Sequence, residues 1–314
     1  MSTEQRSPGG DGSAPRHVTA IATAFHPQPE VLRVLEAAGS ACAAVLVVDN
    51  TPGGADLLRG QLPDRVRVLR PGHNLGLAGA LNLGLRELSS QTDAVLLLDQ
   101  DSVLVDDAVH RLTAHLADPT IGAVGPAPWD EAHGSFIDPR TTFRREVADR
   151  DAIIASGMVV RRALLDQLGG FREDFFVDCV DLDFCLRLRR TGSRIVQDRR
   201  VRLPHTLGNT RAHRFLTGSV RVTHHPTWRL YWVARNSVLL VRENFRFTPA
   251  WCMIWMMIIF RWVLLTALYE RPRRPRLDAM WSGVRDGIRG RTDRRFLPAP
   301  DARRFRRRGT HGPD

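Results

Sequence analysis

The sequence predicts an α/β protein in three parts: a doubly wound half, a mixed-sheet half, and a C-terminal apolar and amphipathic helical extension. Three observations predict it. From residue 17, short Val- and Leu-rich runs alternate with stretches of helical period. After about residue 150 this gives way to short strands, turn residues and a helix with a glycine stop. Residues 251–269 are almost wholly apolar and run into an Arg/Pro cluster.

In order, HVTAIATAF reads as a first strand, QPEVLRVLEAAG as a helix, and AAVLVVDN as a second strand that ends in a polar turn. RVRVLRPG is a third strand, NLGLAGALNLGLRELSS a second helix and DAVLLLDQDS a fourth strand. Runs such as VLVVD and AVLLLD suit parallel strands buried on both faces. In the second half IIASGMVVRR reads as a strand entering a helix. GGFREDFFVDCVDLDFCLRLRRTG is a loop entering a helix, and RIVQDRRV is a further strand. An antiparallel component is expected here.

Composition narrows the class. With 314 residues, 43% hydrophobic and 25% charged, the chain buries a sizeable core. The four cysteines lack the paired CxxC spacing of a zinc site, which points to a reducing compartment. Residues 1–16 are polar and rich in Gly, Ser and Pro, the composition of a disordered leader without a secretory signal. Of the net charge of +11, residues 271–314 carry most, with 14 Arg against five Asp. Because the excess is confined to this tail, it argues for anionic lipid headgroups and against nucleic acid as the partner. A membrane-spanning helix needs ~20 apolar residues, so 251–269 is long enough. Arg261 at its centre would cost roughly 2.5–3.5 kcal/mol in a bilayer. A helix lying in the membrane surface, with Arg271, Arg273, Arg274 and Arg276 on headgroups, fits better. A buried core helix or a dimer contact is the plainer alternative.

The candidate chemistry sits at strand ends, where open α/β sheets bind ligands. Asp99-Gln100-Asp101 closes the fourth strand, and two carboxylates one residue apart can meet ribose and a hard divalent cation that bridges a diphosphate. Asp49 ends the second strand and is placed for a nucleoside, although an Asx turn opening TPGG serves as well locally. Asn74 and the glycines of 76–84 form a helix start where backbone amides can approach phosphate or ribose. Asp174, Asp178, Asp181 and Asp183 crowd beside Phe175 and Phe176. A carboxylate near apolar walls holds protons more tightly and can take one from an acceptor hydroxyl; Asp181 is the chosen base and Asp183 the alternative. His205 follows a strand and is a further metal-ligand candidate, with His224-His225 as competitors. Arg235-Asn236 either meets a diphosphate or forms a solvated helix face.

Together TAFHP, VVDN, NLGLAGALNLG, LLDQDS, SGM, GGFREDFFVDCVDLDFCLRL, LPHTLG, RLYWVARN and GVRDGIRG resemble the GT2 glycosyltransferases over residues 17–290, and within them the bacterial rhamnosyltransferases. The resemblance implies a GT-A fold, with a Rossmann-like nucleotide-binding half and a mixed-sheet acceptor half. It also implies a nucleotide-sugar donor, dTDP-L-rhamnose, and a Mg2+ or Mn2+ ion. Carried over residue by residue, Thr23, Phe25 and Asp49 hold the nucleoside, while Asn74 and Gly79 frame the donor. Asp99, Gln100 and Asp101 meet the nucleotide sugar, Asp99 and Asp101 also serve the metal, and His205 completes the metal site. Asp181 matches the family's base; the acid that usually precedes it is Val180 here, which leaves Asp183 open. The resulting division is a leader (1–16), a GT-A domain (17–245), a membrane-associating helical region (246–295) and a basic disordered tail (296–314). The expected acceptor is a glycan or lipid-linked glycan of cell-wall or surface polysaccharide, met by a peripheral enzyme on the cytoplasmic face of the plasma membrane. A galactofuranosyl or other hexosyl transfer from a UDP-sugar, or an inactive membrane scaffold, are the alternatives.

Overall fold

The computed structural model describes residues 14–60, 62–105, 107–131, 133–137, 145–204, 210–215, 218–223 and 225–298. Contacts divide the chain into two compact units. Of the described residues, the first holds those up to Leu75 and those within 79–171 and 184–204; the second holds Gly76–Ala78, Arg172–Asp183 and those from Thr210 onward.

Along the chain the expected alternation appears as β1 (Val18–Ala24), α1 (Glu30–Ala41), β2 (Ala44–Asp49), β3 (Val66–Leu69), α2 (Gly76–Arg86) and β4 (Ala94–Asp99), all in the first unit but for the first three residues of α2 and, further on, the first turn of α5. Then come α3 (Ala108–Ala114), β5 (Ile121–Asp130), β6 (Ser135–Phe136), β7 (Val147–Asp149), β8 (Val159–Arg161), α4 (Arg162–Leu168), α5 (Val180–Arg190) and β9 (Arg194–Pro204). The sheet order is β3-β2-β1-β4-β8-β5-β9-β7, with β6 paired to β5. β1, β2, β3 and β4 run parallel, while β8 joins β4 and β5 antiparallel and makes the sheet mixed. α1 packs Val31, Val34, Leu35 and Ala38 inward, the spacing of one helix face. They join Ala20, Ala22, Val45, Val47, Leu96 and Leu98 in one core.

The sequence reading did not include β5, β6 or β7, and it began β8 too early. β8 starts only at Val159, because Met158 N–H bonds back to the Ala155 carbonyl and Gly157 turns the chain at φ 78°. Pro126 lies against that glycine and leaves no room for a side chain. β5 was not foreseen, since Gly122, Gly125, Pro126 and Pro128 interrupt its apolar pattern. A Cβ at Gly122 would press on Leu164 and Ser193, and one at Gly125 on Ile153.

The second unit contains a hairpin of β10 (Thr210–Phe215) and β11 (Gly218–Thr223) and three helices: α6 (Thr227–Asn244), α7 (Pro249–Tyr269) and α8 (Arg273–Arg289). α6 and α8 pack closely because Gly283 and Gly287 let α8 rest on the Tyr231 and Arg235 carbonyls. Tyr231 donates to buried Asp286 at 3.0 Å and stacks on Phe296 at 4.3 Å. The GVRDGIRG run therefore serves helix packing. α7 is not a buried core helix: only 22% of its most apolar window is buried, and Met253, Met257, Phe260, Leu264 and Leu268 are exposed. Arg271, Arg273 and Arg274 are exposed as expected, but Arg276 is not. Its guanidinium pairs with fully buried Glu270 at 2.5 Å and donates to the His225 carbonyl at 2.7 Å, because a buried carboxylate needs a charged partner.

Candidate active site

Order 3-2-1-4 puts the reversal of the winding between β1 and β4, the place where such sheets take ligands beyond their carboxyl ends. The register aligns the polar ends. Thr23 faces Asp99 across β1 and β4, and Ala24 faces Asp49 across β1 and β2. Gln100 Oε1 accepts the Phe25 N–H at 2.8 Å, so the segments leaving β1 and β4 are tied together across the reversal point. This bond holds Gln100 back, while Asp99 is half-buried and Asp101 faces solvent. Ser156 donates to Ser102, which joins the SGM and LLDQDS segments directly behind these carboxylates.

Asp49 takes the local alternative. It is fully buried, and its two oxygens accept the Thr51 N–H at 3.0 Å and the Ala55 N–H at 2.7 Å, closing the Asx turn. Its neighbours do related work: Asn50 accepts from Leu75 N–H at 3.2 Å, and Thr51 accepts from His26 N–H at 2.9 Å. His26, at φ 48°, is held in the left-handed region by that bond. Asn74 is half-buried just before α2, and Gly79 is buried inside it with no room beside Leu75 for a Cβ.

In the second unit, the segment before α5 is strained. Phe176, Asp178 and Cys179 all have positive φ, 55°, 61° and 61°, a conformation costing of order 1–3 kcal/mol for each such residue. α6 holds it there. Asn236, fully buried, donates from Nδ2 to the carbonyls of Phe175, Val177 and Asp178 at 2.9, 2.9 and 3.0 Å. Arg235 donates to the Asp174 carbonyl at 2.9 Å, and Arg229 grips the Asp178 carboxylate at 2.7–2.9 Å. The Phe176 carbonyl accepts the Leu77 N–H at 2.6 Å, an approach that only a glycine at position 76 permits. Arg235-Asn236 is therefore neither a solvated face nor open to a diphosphate, being 2% and 0% exposed. The sequence hint was an Arg-Asn pair in an apolar helix, which needs internal partners.

Asp181 and Asp183 both fall in the first turn of α5 and differ in surroundings. Asp181 is half-buried, with Oδ1 accepting the neighbouring Leu182 N–H at 2.9 Å. Asp183 is buried and lies 3.4 Å from Arg172, which also pairs with Asp174 and Glu243. All four cysteines are free and buried, and burial pushes the Cys42 thiol up to about 12 and the Cys179 thiol well above its ordinary range.

A match to the family described as "Glycosyltransferase like family 2" spans residues 15–232. The chain belongs to glycosyltransferase family 2. A dTDP-rhamnosyl transferase, RfbF, from Shigella flexneri is 26% identical over 222 residues, 64% of this glycosyltransferase and 71% of that protein. Two solved structures show the GT-A fold. GalNAc-T7, with UDP, GalNAc and Mn2+, is 13% identical with TM-score 0.55, covering 90% of this chain and 59% of its own. TarS of S. aureus, in complex with UDP-GlcNAc, is 14% identical with TM-score 0.52, covering 88% and 93%.

The glycosyltransferase's own residues fit a hard divalent cation. Asp99 and Asp101 offer oxygen donors on an accessible strand end, the donor type Mg2+ or Mn2+ takes together with diphosphate and water. Among the described residues no three His, Cys, Asp or Glu side chains gather as a complete ligand set. His205 and His224 lie outside the described residues. His225 is described, and its ring packs edge-on against Trp262.

Proposed function

We propose that this glycosyltransferase transfers L-rhamnose from dTDP-L-rhamnose, with inversion, to a glycan or lipid-linked acceptor of surface or cell-wall polysaccharide. The observation that carries the transfer chemistry is the Asp99/Asp101 pair at the carboxyl edge of β4, beside the reversal point and tied to β1 through Gln100. The rhamnosyl donor is supported by the similarity to the Shigella flexneri enzyme. Phe25 and the 50–55 loop shaped by Asp49 receive the nucleoside, while Asn74 and Gly79 frame the sugar diphosphate. Asp99 and Asp101 hold a Mg2+ or Mn2+ ion, which when bound offsets charge on the departing diphosphate. Asp181 takes the proton of the attacking hydroxyl, in a single displacement without a covalent sugar–enzyme intermediate. The assignment to Asp181 rather than Asp183 is supported by the burial of Asp183 against Arg172. α7 lies on the cytoplasmic face of the plasma membrane, supported by its exposed apolar residues and by Arg271, Arg273 and Arg274 at its end.

The test is calorimetric titration with dTDP-rhamnose, UDP-galactofuranose, UDP-glucose and GDP-mannose, with and without Mn2+. Selective binding of dTDP-rhamnose is expected. Preference for a UDP-sugar overturns the donor, and silence towards all four turns the reading to an inactive scaffold.

A further inference from the structure

In the second unit α6, α7 and α8 line a cavity of about 480 Å3. Its walls are Ala234, Val238 and Val241 of α6, Ile259 and Val263 of α7, and Val284 of α8, with Ser237 the lone hydroxyl. Ser237 is already engaged by the Trp255 indole N–H at 3.1 Å. Native interiors leave few voids larger than a water molecule, and an apolar cavity stays dry and takes apolar guests. This one is of the size that holds small-molecule ligands. Water gains nothing from entering it, since no polar group waits there.

The mouth shows what kind of guest fits. At it stand Phe260 and Ile288, 71% and 64% exposed, along with the exposed Met257 and Leu264 of α7. Beside Ile288 stands Arg242, half-exposed, whose guanidinium donates to the Ile288 carbonyl at 3.1 Å, lies 3.8 Å from the Glu243 carboxylate and is thereby fixed at the rim. The site thus offers a hydrocarbon-lined interior, an apolar approach and one cation at the opening. We propose that this cavity binds the hydrocarbon chain of an anionic membrane lipid, with the headgroup phosphate on Arg242. The Arg-rich segment 299–314 is the wrong chemistry for such walls. A second copy of the chain would bring its own apolar α7 face without an anion for Arg242. The inference rests on α7 facing a membrane and is independent of the donor sugar.

The test uses the full-length protein and the fluorescent fatty acid cis-parinaric acid, competed by dodecyl phosphate, dodecanol and inorganic phosphate. The expected result is saturable binding of a single probe per chain. Dodecyl phosphate should displace it about tenfold better than dodecanol, and inorganic phosphate not at all. Arg242→Gln should bring the two long-chain competitors level. Val241→Phe and, separately, Val284→Phe should weaken the probe about tenfold while binding of dTDP-rhamnose stays unchanged, which separates this site from the donor reading. No saturable binding, equal binding by both filled variants, or displacement by inorganic phosphate overturns the proposal. So does a wild-type dimer that Val241→Phe dissociates without any probe binding, which would make a second copy the occupant.

Discussion

Asp181 and Asp183 stand two residues apart and differ in what surrounds them. Asp181→Asn is expected to lower kcat by about 10²–10⁴-fold with donor binding retained, since a general base acts only on the proton in flight. Asp183→Asn should instead act on stability, because it weakens a cluster centred on Arg172. Steady-state kinetics beside thermal melts separate the two; equal loss of kcat in both would undo the assignment. Asn236→Ala removes the donor to three backbone carbonyls, and stranded buried acceptors cost about 1–3 kcal/mol each. A lower melting point with kcat falling more than donor affinity is expected, because the strained segment leads straight into the turn that carries Asp181. Asp198 gives a pH signature. Burial raises its proton affinity, but hydrogen bonds from Arg200 and His115 outweigh this and bring the carboxyl down to about 2. The folded chain therefore binds that proton more weakly than the unfolded one. The stabilisation is present above the ordinary carboxyl value of 3.8 and is lost as pH falls towards 2. Urea midpoints should drop less on acidification in Asp198→Asn than in the wild type.

Among the elements, β2, β4 and α1 were legible because buried parallel strands write themselves as unbroken apolar runs and crossover helices as one apolar face, whereas the edge strand β3 showed only as the alternation VRVL. β5 was hidden for the opposite reason, as its glycines and prolines serve close approach and a register shift rather than periodicity. The carboxylates at the strand ends were readable from position alone. The hydrogen bonds that set them, Phe25 to Gln100 and Ser156 to Ser102, join residues far apart in sequence and leave no local trace. The same holds for Asn236, whose partners lie about 60 residues away. Asp49 shows the reverse, with both a functional and a turn reading written in VVDNTPGG and the turn adopted. At the α6–α8 contact, a Cβ at Gly283 would overlap the Tyr231 carbonyl and cannot be accommodated without separating the helices. Gly283→Ala should therefore destabilise by about 1–3 kcal/mol, read as a lower denaturant midpoint.

For the whole molecule, the sequence distributes charge and apolarity unevenly, and the two features adjoin in the chain. The Arg excess follows an apolar helix whose exposed side chains water does not favour. If that helix meets a membrane surface, binding of the full-length protein to vesicles should rise with their content of anionic lipid and fall with salt. Binding indifferent to both would point to a contact between copies of the chain. The central claim, however, is that a nucleotide sugar is held at the carboxyl edge of β4 through the Asp99/Asp101 pair. Calorimetric titration of dTDP-rhamnose into the wild type and Asp101→Ala, each with and without Mn2+, tests it most directly. Metal-dependent binding that weakens at least about tenfold in Asp101→Ala is the expected result. Binding of equal strength in both proteins, or binding that ignores the metal, would contradict it.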